Sequence, residues 1–463
     1  MKLPKIIHLR NIVLLLAALQ IFVACENLLE VETPSDQLDA GEVFETVQTG
    51  NAALAGLYAS LWDNSPLSGG AQGSGVLLGS YTDDLACYFS SGESSGALDL
   101  YNNLQIASNS SVYSYWSSAY KQVYMANAII EGAEKSKSLP ESEKRRIKGE
   151  ALLVRSILFF YLQQVFGDIP MPLTTDYKIN QSLPKTLAGQ VLSILESDFN
   201  QAADLLSDQY RSGERIFPNR KVAQLMMAKT YMLEGKWNEA EGLLKSILTG
   251  PLYSFEQDIT KVFQKSGSHI LWQLKPKNTN DPTLEVQTYY FSDTAPSLYA
   301  LNDHLVTSFS PGDKRKLNWI KPVTVGQDTW YRADKYKNRE SNPTEYSVVL
   351  RIEDVYLSLA EALARQNKLS EALPYINYTR GRAGLLPLAN ITSQEIVLDE
   401  ILSENRKEFF CEMGHRFMDL KRTGSLNTLS SVKPNWKDYH RVWPLPQKEL
   451  LLNPNIKPQN DGY

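Results

Sequence analysis

Hydrophobic positions recur at helical spacing along most of this chain. Between residues 44 and 62, Phe44, Val47, Leu54, Leu57, Tyr58 and Leu61 fall on or near one face, which predicts an amphipathic helix. The same period returns over 112–132 and 141–166, on either side of Ser138-Leu139-Pro140-Glu141, where Pro140 suits the start of the second helix. Further helices are expected over about 186–206, 221–234 and 238–248. Trp62, Tyr115, Trp116, Tyr120 and Tyr124 lie on these stripes and read as core. One stretch has an echo: "AKTYMLEGKWNEAEGLL" (228–244) aligns with "AEALARQNKLSEALPYI" (360–376) at a constant offset of 132. Ala228 matches Ala360, Gly235 matches Asn367, Trp237 matches Leu369 and Ala240 matches Ala372. A small residue at the turn and alanine at the close crossing are what tetratricopeptide-type helix pairs need. The expected fold is mainly α: a tetratricopeptide-like helical-hairpin scaffold with a loop-rich ligand-binding region containing a few short strands.

The helical period breaks in defined places. "NSPLSGGAQGSG" (64–75) and "SSGESSGA" (90–97) are too rich in Gly and Ser for a helix interior. Residues 250–347 carry many Pro, Gly, Asn and Asp, with short runs at 269–274 and 286–291 that read as strands. Loops on a rigid scaffold are where binding residues concentrate. The binding loops are therefore expected at about 64–112 and 273–345, within one domain over 41–463.

The first 40 residues follow another pattern. Lys2, Lys5 and Arg10 precede an apolar run over 12–24 broken only by Gln20, which reads as a signal peptide over 1–24. The run falls short of the roughly 20 apolar residues of a spanning helix. Val23-Ala24-Cys25 resembles a bacterial lipobox, with Phe22 where Leu is usual, so Cys25 is expected to be lipidated. Residues 25–40 then form a tether, with turn chemistry at Thr33-Pro34-Ser35-Asp36. The formal charge of −5 falls to −8 once the three basic residues of the signal are removed, which argues against a nucleic-acid partner.

Catalytic constellations are not evident. The sequence holds no His-Glu-x-x-His, Gly-x-Ser-x-Gly or Walker loop. Cys411 and His415 stand four apart, a spacing that would place two metal ligands on one helix face, but no partner pair lies nearby. The Asp83-Asp84 pair suggests two carboxylates for glycoside hydrolysis, yet adjacent side chains point apart. No enzyme activity, cofactor or metal is expected. Sugar binding is easier to build, because a pyranose stacks its C–H face on aromatic rings and offers hydroxyls to Asp, Asn, Gln and Arg. Residues 81–116 and 287–337 carry that mixture, and the candidate ligand-binding residues are Asp83, Tyr88, Tyr101, Asn102, Tyr289, Trp319 and Trp330.

The C-terminal third carries a family resemblance. "RIEDVYLSLAEAL" (351–363), "INYTRGRAGL" (376–385) and "ENRKEFFCEMGHRFMDLKRTG" (404–424) resemble successive motifs of the SusD/RagB family, with Asn405 at a position usually Arg. "RSILFFYLQQVFGDIP" (155–170) and the closing "VWPLPQKELLLNPNIKPQNDGY" resemble two more, in the family's order; Ser156 and Phe159 depart from the pattern. The resemblance implies a lipid-anchored outer-membrane protein facing the cell exterior. It further implies capture of an oligosaccharide or polysaccharide, or of a peptide in the RagB branch, and delivery to a SusC-like TonB-dependent transporter. Glu26, Glu30 and Glu32 resemble the acidic export tract that follows the lipidated cysteine in such proteins. Arg351, Arg380, Arg382, Arg406 and Arg416, interleaved with Asp354, Glu361, Glu404, Glu408 and Asp419, are expected to form ion pairs between helices.

Overall fold

The computed structural model describes residues 44–89 and 95–463. The signal peptide, Cys25 and the tether lie outside these residues. The long helices are α1 (Val47–Asp63), α2 (Ser74–Tyr81), α3 (Ser110–Lys135), α4 (Glu141–Phe166), α5 (Ala188–Leu205), α6 (Arg220–Leu233) and α7 (Trp237–Leu248), followed by α8 (Ile352–Arg365), α9 (Leu369–Arg382), α10 (Gln394–Phe409) and α11 (His415–Arg422). From α3 to α11 each of these helices packs on the next, a path of successive hairpins. Mainly helical structure with a few short strands is what the sequence pattern predicts.

Local chemistry sets the hairpins. The Asn109 side chain caps α3 by accepting from the Ser111 and Val112 N–H groups at 3.0 and 3.1 Å. Pro140 stands directly before α4, whose side chains are buried all round from Gly149 to Phe166. The two echoed turns share a backbone conformation: Gly235 has φ +73° and Asn367 φ +60°. That left-handed region is open to glycine and tolerated by asparagine, so each turn carries a residue that can adopt it. Ala240 and Ala372 are fully buried at the crossings, as the repeat requires.

The strand-bearing insert joins α7 to α8. Strands β1 (Leu85–Cys87), β3 (Tyr299–Leu301), β4 (Ile320–Val325) and β5 (Asp328–Ala333) form an antiparallel sheet in the order β1-β3-β5-β4. β2 (Ile270–Leu274) and β6 (Ser347–Arg351) pair separately. The strand expected at 269–274 is therefore found, but 286–291 is not one: Leu284–Tyr289 is a short helix. Its apolar run buries Val286 and Tyr289 together, which periodicity over six residues cannot distinguish from a strand. Tyr124 also departs from expectation, since it is 55% exposed on α3.

Arginine–carboxylate pairs join insert to scaffold. Arg351 at the end of β6 binds Glu408 of α10 at 2.5 Å and Glu412 at 2.9 Å. Arg382 of α9 binds both Glu353 and Glu408. Arg315, from the insert, binds Asp313 and Glu404 at 2.9 Å each. Burial alone would push the Glu408 carboxyl up, but the Arg382, Arg351 and Arg315 guanidiniums outweigh it and hold it well below the usual range.

Candidate functional site

The sheet has two unlike faces. Side chains alternate along a strand, and β4 pairs with β5 in the register Ile320↔Ala333, Lys321↔Arg332, Pro322↔Tyr331 and Val323↔Trp330. Ile320, Tyr331 and Ala333 point inward onto a core with Tyr289, Tyr299, Phe309, Trp319 and Phe410. Val323 and Trp330 point outward and pack with Phe291, Ala300 and Val325. The two strands meet at a two-residue turn in which Gly326 has φ +64°, the position glycine fills in a hairpin of this kind.

Tyr88 extends β1 onto that outer face. Its N–H donates to the Leu298 carbonyl at 2.9 Å, so the antiparallel alternation places Tyr88 on the side of Ala86. Tyr88 is 40% exposed, with the Trp330 indole N–H beside its hydroxyl. Burial, with Tyr101 and Asp303 nearby, raises the Tyr88 phenol above its ordinary range. Tyr101 is half-buried at the side of this face, and the Lys433 ammonium lies 3.9 Å from its ring centre while donating to the Tyr101 carbonyl at 2.8 Å. Asn102 is likewise half-buried, its carbonyl held by Asn435 at 2.9 Å.

The remaining sequence candidates are structural. Trp319 is 1% exposed and donates its indole N–H to the Ile259 carbonyl at 3.2 Å, so it presents no face to a ligand. The helical turn Lys314–Trp319 ends just before β4, which breaks strand alternation and turns the ring inward. Tyr289 is buried beside Cys411, and burial raises its phenol well above the ordinary range. Asp83 is held by Arg416 at 2.8 and 3.0 Å and by Arg406 at 3.0 Å, while Asp84 takes Arg406 at 3.0 Å. Arg406 and Arg416 were expected to pair between C-terminal helices; they instead clamp the chain after α2. Cys411 and His415 do not share a helix face, because Cys411 sits in the turn between α10 and α11 with φ +61° and His415 stacks on Phe409 at 4.2 Å.

Tyr290 and Arg332 fall within the mixed aromatic and polar region 287–337, but their grouping with Arg339 beside the sheet was not read from the sequence. The Arg332 and Arg339 guanidiniums lie 4.4 and 4.2 Å from the ring centre of Tyr290. Arg339 also donates to the Tyr290 hydroxyl at 3.1 Å. Arg332 is fixed by Asp334 at 2.7 Å and donates to the Phe291 carbonyl at 2.8 Å. The alternating run around the Gly326-Gln327 turn was the available signal for a hairpin that sets Arg332 two residues from Trp330. Two small cavities elsewhere, of about 20 and 40 Å³, have room for a water or two but not for a sugar ring. The first contains Glu285, whose carboxyl accepts from Ser347 at 2.7 Å and is pushed up to about 7 by burial.

Comparison with known proteins agrees with this architecture. Residues 29–232 match a family model described as starch-binding, associating with outer membrane, and residues 306–463 match one described as the SusD family. A SusD-like protein of Formosa agariphila is 23% identical, covering 95% of this chain and 97% of its own length. A solved SusD superfamily protein of Bacteroides vulgatus superposes with a TM-score of 0.77 at 21% identity, over 91% of this chain and all of its own. Surface glycan-binding protein A of Bacteroides thetaiotaomicron, solved in complex with laminarihexaose, gives 0.75 at 18% identity, over 89% and 99% of the two chains. No helix among the described residues is long and apolar enough to cross a membrane. The two family matches follow one another along the chain and together span more than three quarters of it, and this protein belongs to the SusD/RagB family.

Proposed function

We propose that this protein captures glycan at the outer face of its four-stranded sheet and hands it to a SusC-like TonB-dependent transporter. The observation that carries the reading is the pairing of Tyr88 with Trp330 there, two partly exposed rings beside the half-exposed Tyr101 and Arg332. Aromatic faces supply the stacking that a pyranose needs, and neighbouring polar groups fix its orientation. The laminarihexaose complex of a protein with the same fold supports a saccharide as ligand. The protein acts by binding rather than catalysis: Asp83 and Asp84 are engaged by Arg406 and Arg416, which leaves neither free to serve as an acid–base pair. Cys25 carries the lipid that anchors the chain to the outer membrane, facing the cell exterior, through the 25–40 tether.

A glycan array on the 26–463 fragment, followed by titration calorimetry on its hits, tests the binding reading. Trp330→Ala should weaken binding about 5- to 150-fold, the loss of one stacked aromatic, with the melting curve unchanged. Wild-type affinity in that variant, or binding of peptides in place of glycans, would overturn it. Cys25→Ala should release the full chain from washed membranes, and the transporter should co-purify from native membranes in mild detergent.

A further inference from the structure

The outer face also carries charge that the fold does not use. Lys321 and Arg332 stand directly opposite one another in the β4–β5 ladder, two cations on one side of the sheet. Like charges in that position repel, so the pairing departs from ordinary sheet design. Such departures mark functional sites when nothing local compensates. Asp334 offsets Arg332, but it is shared with Lys337 at 2.7 Å. Among the described residues, no carboxylate lies within 4 Å of Lys321 or Arg339, and both side chains are exposed. Asp293 and Glu340 flank the cluster as exposed acids without pairing to it. Arg339 spends one guanidinium nitrogen on the Tyr290 hydroxyl, which leaves the rest of its fork available. A hydrogen bond from Ser292, together with the Arg339 and Arg332 charges, holds the Tyr290 phenol below its ordinary range, in keeping with a positive local field.

We infer that this end of the sheet receives an anionic substituent, a sulfate ester or a carboxylate, on the saccharide whose ring stacks at Trp330. Arg332 and Trp330 are two residues apart on the same side of β5, so their backbones are roughly 7 Å apart and one short oligosaccharide can touch both. Arg339 offers a guanidinium fork whose geometry fits an oxyanion, Lys321 offers a mobile ammonium, and Arg332 holds the Tyr290 ring between the platform and the anion. A sulfate and a carboxylate present the same chemistry to these groups. The chain as a whole is acidic, at −5, so this cluster runs against the charge around it and selects for position as well as sign.

This inference rests on the aromatic-platform reading, and the experiment separates the two. The 26–463 fragment is screened on an array of neutral, sulfated and uronate-bearing oligosaccharides, and hits are titrated for wild type, Trp330→Ala and the double variant Lys321→Gln/Arg339→Gln. The expected result is preferential binding of sulfated or uronate-bearing members, weakening with added salt. The double variant should lose about 10- to 100-fold on those ligands, the worth of one charged hydrogen bond or more, with its melting curve no lower than that of wild type. Preference for one arm over the other identifies the substituent. Binding confined to neutral members and lost only in Trp330→Ala overturns the anion subsite and leaves the platform standing. Binding of anionic members that the double variant leaves intact also overturns it. Failure of every member to bind overturns both.

Discussion

The junction between insert and scaffold and the outer face of the sheet both set arginine against an aromatic ring, with opposite consequences. At the junction, Arg351 lies 4.3 Å from the Phe409 ring centre and also binds Glu408 and Glu412. On the sheet, Arg339 lies 4.2 Å from the Tyr290 ring centre with no carboxylate within 4 Å among the described residues. The first cation is 1% exposed, and the second is in water. A buried guanidinium must be paired, because an unpaired buried charge costs several kcal/mol. An exposed one can wait for a partner at little cost. Charge that holds the fold is satisfied within the chain, while the charge proposed to meet a ligand is solvated and lies against a ring.

The sharpest test of the junction is Glu408→Gln. Glu408 faces Arg382, Arg351 and Arg315, and all four side chains are buried. Removing its charge leaves three guanidiniums undercompensated, so stability should fall by about 3–5 kcal/mol in denaturant titration. A loss below about 1 kcal/mol, the range of an exposed pair, would place this network with surface salt bridges.

The two tryptophans make the comparison within one residue type. Trp319→Ala removes a ring packed against Phe263 and Phe410 and should cost about 3–5 kcal/mol. Trp330→Ala should stay within about 0.5 kcal/mol of wild type, as surface substitutions do, while losing ligand. Similar melting curves for the two variants would dissolve the distinction between core and platform.

That distinction also shows what the sequence could convey. Helices 141–166, 221–234 and 238–248 were legible because a regular period marks a buried face, and the turns at Gly235 and Asn367 because few residues accept a positive φ. The partners of Arg406 and Arg416 were not, since Asp83 and Asp84 lie more than 320 residues away in the chain and no local pattern encodes that approach. Trp319 and Trp330 both sit in polar stretches, and composition treats them alike. Only the helical turn before β4 and the hairpin register after it send one ring inward and the other outward. The proposed site takes Tyr88 and Trp330 from regions whose mixture of aromatic and polar residues is readable in the sequence, whereas Lys321 enters it only through the β4–β5 pairing and Arg339 only through its approach to Tyr290.

Glu285 occupies a middle ground, buried like the junction but without a cation holding its charge. Its folded pKa of about 7 exceeds the ordinary glutamate value of 4.5, so the folded state keeps the proton between those values. Stability from the neutral form is complete below about pH 4.5 and is lost as pH rises through about 7. The gap corresponds to about 3 kcal/mol. Glu285→Gln should therefore match wild type near pH 4.5 and exceed it by up to about 3 kcal/mol at pH 8, read from denaturant titrations at both pH values. A difference that does not change with pH would remove the ionisation account.

The smallest effect addresses the sheet itself. If Lys321 and Arg332 repel across the ladder, Lys321→Thr should raise stability, because threonine suits a strand and removes one of two like charges. The gain expected is about 0.2–1 kcal/mol, the scale of a cross-strand pair. It should shrink in high salt, since Lys321 is exposed and its field is screened over about 10 Å at 0.1 M ionic strength. The same variant should bind anionic oligosaccharide less tightly, so stability and binding move in opposite directions, as they do where function holds a destabilised arrangement in place. Denaturant titration at low and high salt, beside calorimetry on the array hits, reads both quantities. A loss of stability, or a gain indifferent to salt, would mean that the β4–β5 charges are already balanced by Asp334 and that this face holds no reserve for a ligand.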